Sequence, residues 1–319
     1  MTRLIRGRHR LEDRWAQDRA RKGRPDAGAV PVQARRGRTR WQTKESAPLR
    51  RSISRQAIAA LASLCGLGIV FTATPSASAI VGGKPVADGE RPFVVQIERQ
   101  GDGGAWSHYC GAALVDSRVF ATAAHCAKFV EQGRVKIRLV LGRADANAPG
   151  GTVVTDDRFS VYSHPGFSTL TNTDLGLIVL DDPADQASAA LPRLGTELRP
   201  GRLVRAAGWG RTDLANPEKP SRLREARLPV SEFDTEGGIW DEQFICAGTA
   251  ESRVGPGDSG GPLFDRDSSG RPVVYGLVTG DTNTCEGLFT NLADPAIWKP
   301  FRGPLASHGL SHVIPAGGA

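Results

Sequence analysis

From residue 80 onward the chain consists of short β-branched runs that glycine, aspartate and proline interrupt every few residues. Such runs are typical of β-strands joined by tight turns. The clearest of them are Phe93–Ile97, Val135–Val140, Val153–Val154, Leu175–Leu180 and Val273–Val278. No long helical period accompanies them, and we expect only a short helical turn at 294–298, stopped by Pro300. The sequence therefore predicts an all-β protein.

The segment 257–262, Gly-Asp-Ser-Gly-Gly-Pro, places Ser259 among glycines. A serine acts as a nucleophile only when it is held rigidly, when N–H donors face the oxyanion that its attack creates, and when a base takes its proton. Glycine has no Cβ, so glycines around a serine let the backbone turn sharply and direct N–H groups into one small space. Taken alone, the pattern also fits an ordinary tight turn.

Two other segments supply the groups that a nucleophilic serine needs. His125 lies in Thr-Ala-Ala-His-Cys at 122–126, and Asp174 lies in Asn-Thr-Asp-Leu-Gly-Leu-Ile-Val-Leu at 172–180. An imidazole can take and return a proton near neutral pH. A carboxylate can hold that ring in one tautomer, although Asp174 could also cap the following strand. The chain thus offers His, Asp and Ser in that order.

With these segments the chain resembles the chymotrypsin/trypsin-like serine endopeptidases, of the type that bacteria secrete. Four further motifs match the family in order: Ile80–Gly83, His108–Gly111, Gly208–Gly210 and Phe244–Gly248. The resemblance covers residues 80 to about 302. It implies two six-stranded antiparallel β-barrels with the active site in the cleft between them. The roughly 240 residues after the leader suffice for one such two-barrel unit or for two small domains.

The resemblance also implies a role for each site residue. Ser259 would attack the scissile carbonyl, His125 would act as the base, and Asp174 would orient the imidazole. The N–H groups of Gly257 and Ser259 would form the oxyanion hole.

The resemblance implies that a second pair of residues gives the oxyanion hole and the specificity pocket their ordered conformation. In the family, the α-amine of the mature first residue pairs with the acid before the serine, and these residues are Ile80 and Asp258 here. The segment Ala77–Ala79 directly precedes Ile80 and resembles a signal-peptidase site. We therefore expect signal peptidase alone to release the amine, the alternative being an earlier cut followed by trimming.

The specificity pocket is where the chain departs from the family. Trypsin-like members carry an acid six residues before the serine, but this chain has Arg253 there, so we do not expect cleavage after Lys or Arg. The pocket wall at Thr279, Gly280 and Asp281 also lacks the usual Ser-Trp-Gly. Arg253 either turns to solvent or is neutralised by Asp281 or Glu286, or it forms a cationic pocket for an acidic substrate side chain.

Four cysteines remain once a signal peptide is removed. In the resembling family the pair Cys110 and Cys126 is bridged, which would fix the histidine turn. Cys246 and Cys285 match positions whose family partners are missing here. An oxidising compartment leaves these two bridged to each other or free, and we favour the bridge.

The positive charge of the chain belongs to its leader. Residues 1–56 hold 17 basic and 5 acidic residues, whereas residues 80–319 hold 24 basic and 29 acidic ones. A nucleic-acid-binding function is therefore not expected. Residues 50–79 read as a signal peptide with a basic start, the apolar run 57–73 containing Cys65, and a small-residue end. A retained membrane anchor is the rival interpretation of that run.

The expected organisation has four parts: a leader at 1–49 that is disordered or not translated, a signal peptide at 50–79, a protease domain at 80–302 and a loose C-terminal tail at 303–319. The predicted protein is a secreted monomer without cofactor or metal and without stable membrane association. Its partners would be protein or peptide substrates and protein inhibitors. The competing functions are a catalytically weak homologue that acts as a binding protein, and an esterase that uses the same triad.

Overall fold

The computed structural model describes residues 80–168, 173–211, 221–232, 243–282 and 285–317. The predicted leader and signal peptide lie outside these residues. Within them, nearly all regular structure is β, and the strands form two antiparallel seven-stranded sheets. None of the helices in the described part of the chain has the length and apolar content that crossing a bilayer requires.

The first sheet carries the N-terminal half of the described chain. Its strands run in the spatial order β6-β5-β2-β3-β4-β8-β7. They are β2 (Val94–Gln100), β3 (Trp106–Asp116), β4 (Val119–Thr122), β5 (Ile137–Leu141), β6 (Thr152–Thr155), β7 (Phe159–Ser163) and β8 (Gly176–Leu180). The strand β8 is buried along its whole length, as its continuous apolar run predicts.

The second sheet has the order β1-β10-β9-β12-β13-β14-β11. Its strands are β1 (Lys84–Pro85), β9 (Leu203–Gly208), β10 (Arg224–Pro229), β11 (Phe244–Cys246), β12 (Pro262–Arg266), β13 (Pro272–Thr282) and β14 (Cys285–Asn291). Both sheets are curled, so the predicted two-barrel fold is confirmed. Each has seven strands rather than six, because a short strand, β1 or β6, is added at one edge.

The helices of the described chain are short. They are α1 (Ala124–Glu131), α2 (Pro295–Trp298) and α3 (Arg302–Ser307), with 3₁₀ turns at Asp156–Arg158, Lys299–Phe301 and Ser311–Val313. The helix α2 is the turn predicted at 294–298. Its N-terminus is capped by Asp294 Oδ1, which accepts from the amide of Ala296 at 2.8 Å. The helical structure does not end at Pro300 but continues through a 3₁₀ turn into α3.

The expectation of a loose tail from residue 303 is wrong. Leu305, Leu310 and Val313 are all buried in the core of the first sheet. The tail is also tied by its backbone, because the amide of Leu194 donates to the carbonyl of Ala316 at 2.9 Å. Burial of these apolar side chains stabilises the segment, and the surrounding Gly, His and Pro hide the pattern in the sequence.

The His-Pro pair at 164–165 predicts a loop with His164 at the surface, and the structure corrects this as well. His164 is only 8% exposed, and its Nδ1 accepts from the amide of Gly166 at 3.1 Å. Burial lowers the pKa of His164, so the ring is neutral at neutral pH.

Two disulfides cross-link the fold, as expected. Cys110 is bridged to Cys126, and Cys246 on β11 is bridged to Cys285 at the start of β14. The second bridge replaces the two family bridges whose other halves this chain lacks. It closes a longer loop, with a sequence separation of 39 residues against 16.

Loss of the Cys246–Cys285 bridge should lower the free energy of unfolding by about 2–4 kcal/mol, because the reduced unfolded chain regains the entropy of that loop. Guanidinium denaturation of the double Cys246→Ala, Cys285→Ala variant measures this change. The matched Cys110→Ala, Cys126→Ala variant opens a shorter loop and should lose less. Equal stability of the wild type and the first variant would contradict the prediction.

Candidate active site

The structure brings His125 and Asp174 together. Asp174 precedes β8 and is 2% exposed, and His125 lies in the first turn of α1. The Oδ2 atom of Asp174 is 2.8 Å from His125 Nδ1, and its Oδ1 atom accepts from the His125 amide at 2.9 Å. The carboxylate therefore holds both the ring and the backbone of His125. With Nδ1 donating to Asp174, Nε2 of the neutral ring is an acceptor.

The loop that carries Ser259 is clamped between the two sheets. The carbonyl of Ser259 accepts from the amide of Gly111 on β3 at 2.8 Å, and the amide of Gly260 donates to Val278 on β13 at 2.8 Å. Gly260 has φ +75°, and a Cβ there would lie 2.3 Å from Thr122 Oγ1. Only glycine fits this position, which explains its place directly after the serine.

Ser259 and His125 line one cavity of about 320 Å³, together with Gly257. Among the described residues, neither the Gly257 nor the Ser259 amide donates to a protein acceptor. Both N–H groups are thus available to a substrate oxygen. The predicted nucleophile, base and oxyanion donors therefore lie around one space that a substrate can enter.

A polar network that the sequence analysis did not identify holds the Gly257 carbonyl. Fully buried Gln96 on β2 accepts from Arg143 Nη2 at 2.7 Å through its Oε1 atom. Its Nε2 atom is therefore the donor to His108 Nδ1 at 3.2 Å, which leaves the proton of a neutral ring on Nε2. That Nε2 lies 2.8 Å from the carbonyl of Gly257. Buried Glu98 pairs with Arg143 and fixes the far end of the network.

Asp258 turns away from the cavity into the second barrel. It is 1% exposed, and its two oxygens accept from the amides of Gly210 at 2.7 Å and Gly255 at 2.9 Å. Ile80 is fully buried in the core of the second sheet. It is also the one residue other than glycine with a positive φ in the described chain, at +50°.

The predicted specificity residues are not among the described residues that line the cavity. Arg253 Nη1 is 2.8 Å from Glu286 Oε2, and both side chains are partly exposed. Asp281 is exposed and forms no ion pair with it. Of the interpretations left open for Arg253, the structure therefore shows neutralisation by Glu286.

Two threonine hydroxyl groups link the predicted pocket wall to the backbone of Asp174 by hydrogen bonds. Thr290 Oγ1 donates to the carbonyl of Asp174 at 3.2 Å, so its single proton is used. The contact between Thr279 Oγ1 and Thr290 Oγ1 at 2.8 Å must then have Thr279 as the donor. Gly280 lies where the register of β13 and β14 shifts, which separates this wall from a regular ladder.

One group of metal-binding residue types occurs in the described chain, formed by Cys110, His125 and Cys126. The two sulfurs are joined in a disulfide, so neither is a thiolate that could bind a metal. The imidazole is already held by Asp174. The group therefore does not have the chemistry of a metal site.

The chain matches the Trypsin family model over residues 80–297. It is also 29% identical to granzyme F of Mus musculus over 243 residues, which covers 73% of this chain and 94% of the mouse protein. The chain therefore belongs to the trypsin family of serine proteases. This relative is mammalian and gives no support to the expected bacterial secreted type.

Proposed function

We propose that the protein is a secreted serine endopeptidase that cleaves peptide bonds through an acyl-enzyme on Ser259. The observation that carries this proposal is that Asp174 accepts hydrogen bonds from both the ring and the backbone amide of His125. His125 and Ser259 line the same cavity. An imidazole held in this tautomer presents Nε2 as the base for a serine hydroxyl.

In the proposed mechanism, Ser259 Oγ attacks the scissile carbonyl while His125 takes its proton. The imidazolium that forms is stabilised by buried Asp174 and then gives the proton to the leaving amine. The Gly257 and Ser259 amides bind the oxyanion, and loss of one such donor typically costs about 10²–10³ in turnover. Water then hydrolyses the acyl-enzyme by the same route.

Activation in this proposal depends on Ile80 and Asp258. A β-branched residue rarely adopts positive φ, so a peptide bond before Ile80 leaves its backbone strained. A cut at that bond removes the φ constraint and creates an α-amine beside the barrel core that holds Ile80. The buried Asp258 carboxylate is the expected partner, because an opposite charge beside a buried carboxylate offsets part of its desolvation cost. Direct release by signal peptidase remains our expectation.

The same proposal assigns the enzyme to protein or peptide substrates, with protein inhibitors as a further class of partner. In this proposal residues 80–302 form the protease domain, and the protein is exported as a monomer. Export brings it into an oxidising compartment, where disulfides form. Cleavage of a peptide library by the purified protein tests the function, because the esterase alternative predicts ester hydrolysis without peptide hydrolysis. The binding-protein alternative predicts neither.

The residue before the scissile bond should not be Lys or Arg, because Arg253 lies where the family places an acid. The Arg253–Glu286 pair leaves that region without net charge, so neutral side chains should be preferred. Glu286→Gln frees the charge of Arg253 and should raise kcat/KM for substrates with Asp or Glu at this position by about 5–10-fold. Glu251→Gln is the matched control, since this exposed acid forms no ion pair with Arg253. A wild-type profile dominated by basic residues would contradict the assignment of the pocket.

A further inference from the structure

Among the described residues that line the cavity with His125 and Ser259, Arg211 is the one whose side chain is permanently charged. Tyr109 contributes another part of the wall, and none of the described residues that line the cavity is acidic. None of the predicted specificity residues at 253 and 279–281 lines it either. Substrate-binding chemistry in this cavity is therefore separate from that of the specificity pocket.

The position of Arg211 is fixed by its backbone. Its amide donates to the carbonyl of Pro256 at 2.9 Å. Its own carbonyl lies 2.2 Å from where a Cβ on Gly255 would be, so only a glycine at 255 permits this approach. The family has a cysteine at that position. Its replacement by glycine thus lets the chain at Arg211 pack directly against the serine loop.

The guanidinium group of Arg211 has no counter-charge within the described residues. No carboxylate forms an ion pair with it there, and its buried Nε has no hydrogen-bond acceptor. Arg253 differs, because Glu286 neutralises it. A buried donor of this kind is costly unless a ligand supplies an acceptor.

A second cation, the exposed side chain of Arg99, contacts Tyr109, which lines the cavity. The guanidinium carbon of Arg99 is 5.5 Å from the centre of the Tyr109 ring, and in the described chain Arg99 has no carboxylate partner. Burial raises the pKa of Tyr109, so its phenol adds no negative charge. The wall is therefore positive, in a domain whose net charge is negative.

The proposed function determines which part of the substrate occupies this cavity. His125 protonates the leaving amine, so the residues after the scissile bond must lie on the His125 side of Ser259. In the proposed function, the side chain of the residue before the bond enters the specificity pocket at 253 and 279–281. The cavity with Arg211 is thus the space for the leaving peptide.

We propose that Arg211, assisted by Arg99, makes the enzyme select substrates with Asp or Glu in the first two positions after the scissile bond. This inference rests on the proposed function. It concerns the charge of the residues after the scissile bond, which the specificity pocket does not contact. A carboxylate at this place meets the free guanidinium in a partly desolvated space, where a charge-assisted hydrogen bond is strong.

The test uses pairs of quenched peptides that are identical except for Asp against Asn, or Glu against Gln, at each of these two positions. At low ionic strength, the purified processed protein should show about a 10-fold higher kcat/KM for the acidic member at one of them. The ratio should fall in 0.5 M salt. Arg211→Gln should bring the ratio close to 1, and Arg211→Glu should favour a Lys-containing peptide. Arg99→Gln should lower the ratio by a smaller factor.

Arg302→Gln is the matched control, because it removes an equal charge from an exposed residue that does not line the cavity, and it should keep the full ratio. A ratio near 1 in the wild type, with normal peptide hydrolysis, would overturn the inference and leave the proposed function standing. An acid preference that survives in Arg211→Glu would also overturn it. Failure to hydrolyse any peptide would overturn both.

Discussion

Ser259→Ala should reduce peptide turnover by about 10⁴-fold or more while the protein stays folded. The alanine removes the Oγ atom that forms the acyl-enzyme, and Ser259 is the one serine among the described residues that line the cavity. The backbone bonds that clamp the loop use the carbonyl of residue 259 and the amide of Gly260, and both are preserved. Initial rates with a quenched peptide, together with the thermal midpoint of unfolding, measure the two quantities.

His125→Ala should cost nearly as much, since base and nucleophile act as one unit and their losses do not add. Ser307→Ala is the matched control, because this exposed serine on α3 bonds only to its own helix. Its turnover should equal that of the wild type. Retention of more than a few per cent of activity in Ser259→Ala or His125→Ala would show that the triad is wrongly assigned.

A single extra residue before Ile80 should depress turnover by about 100-fold or more. Ile80 is fully buried, so an added residue cannot be accommodated without moving the new amine away from Asp258. An unpaired buried carboxylate costs several kcal/mol, which favours rearrangement of the loop that carries the oxyanion donors. Rates of the two forms are compared after mass spectrometry has verified each N-terminus.

Asp258→Asn tests the other half of the pair and should lower turnover in a form that begins at Ile80. Asp267→Asn is its control, since this acid lies in an exposed turn and bonds only to residues of that turn. Full activity in the form with an extra residue would mean that the ion pair does not control the site.

The sequence analysis located five strands, and proposed the site residues, from local patterns. Apolar runs bounded by turn residues mark β2, β5, β6, β8 and β13, and each of them is a strand in the structure. Cysteine counting left Cys246 and Cys285 either bridged to each other or free, and the structure shows the favoured bridge. These inferences needed no knowledge of distances between remote segments.

The features that were missed depend on such distances. The network of Gln96, Glu98, Arg143 and His108 joins β2, β3 and the loop after β5, and only the pairing of the strands brings these side chains together. One polar residue inside the apolar run of β2, Gln96, was the available signal. The partner of Arg253 could not be chosen between Asp281 and Glu286, because the irregular register of β13 and β14 decides it.

The most direct test of the central claim is labelling of the purified protein with a fluorophosphonate, followed by tandem mass spectrometry. We predict one label per molecule on Ser259, because only a serine with a base and oxyanion donors reacts stoichiometrically with this reagent. Labelling should be lost in Ser259→Ala and strongly slowed in His125→Ala. Absence of label in the processed wild type, or a label on another serine, would contradict the assignment of Ser259 as the nucleophile of this protease.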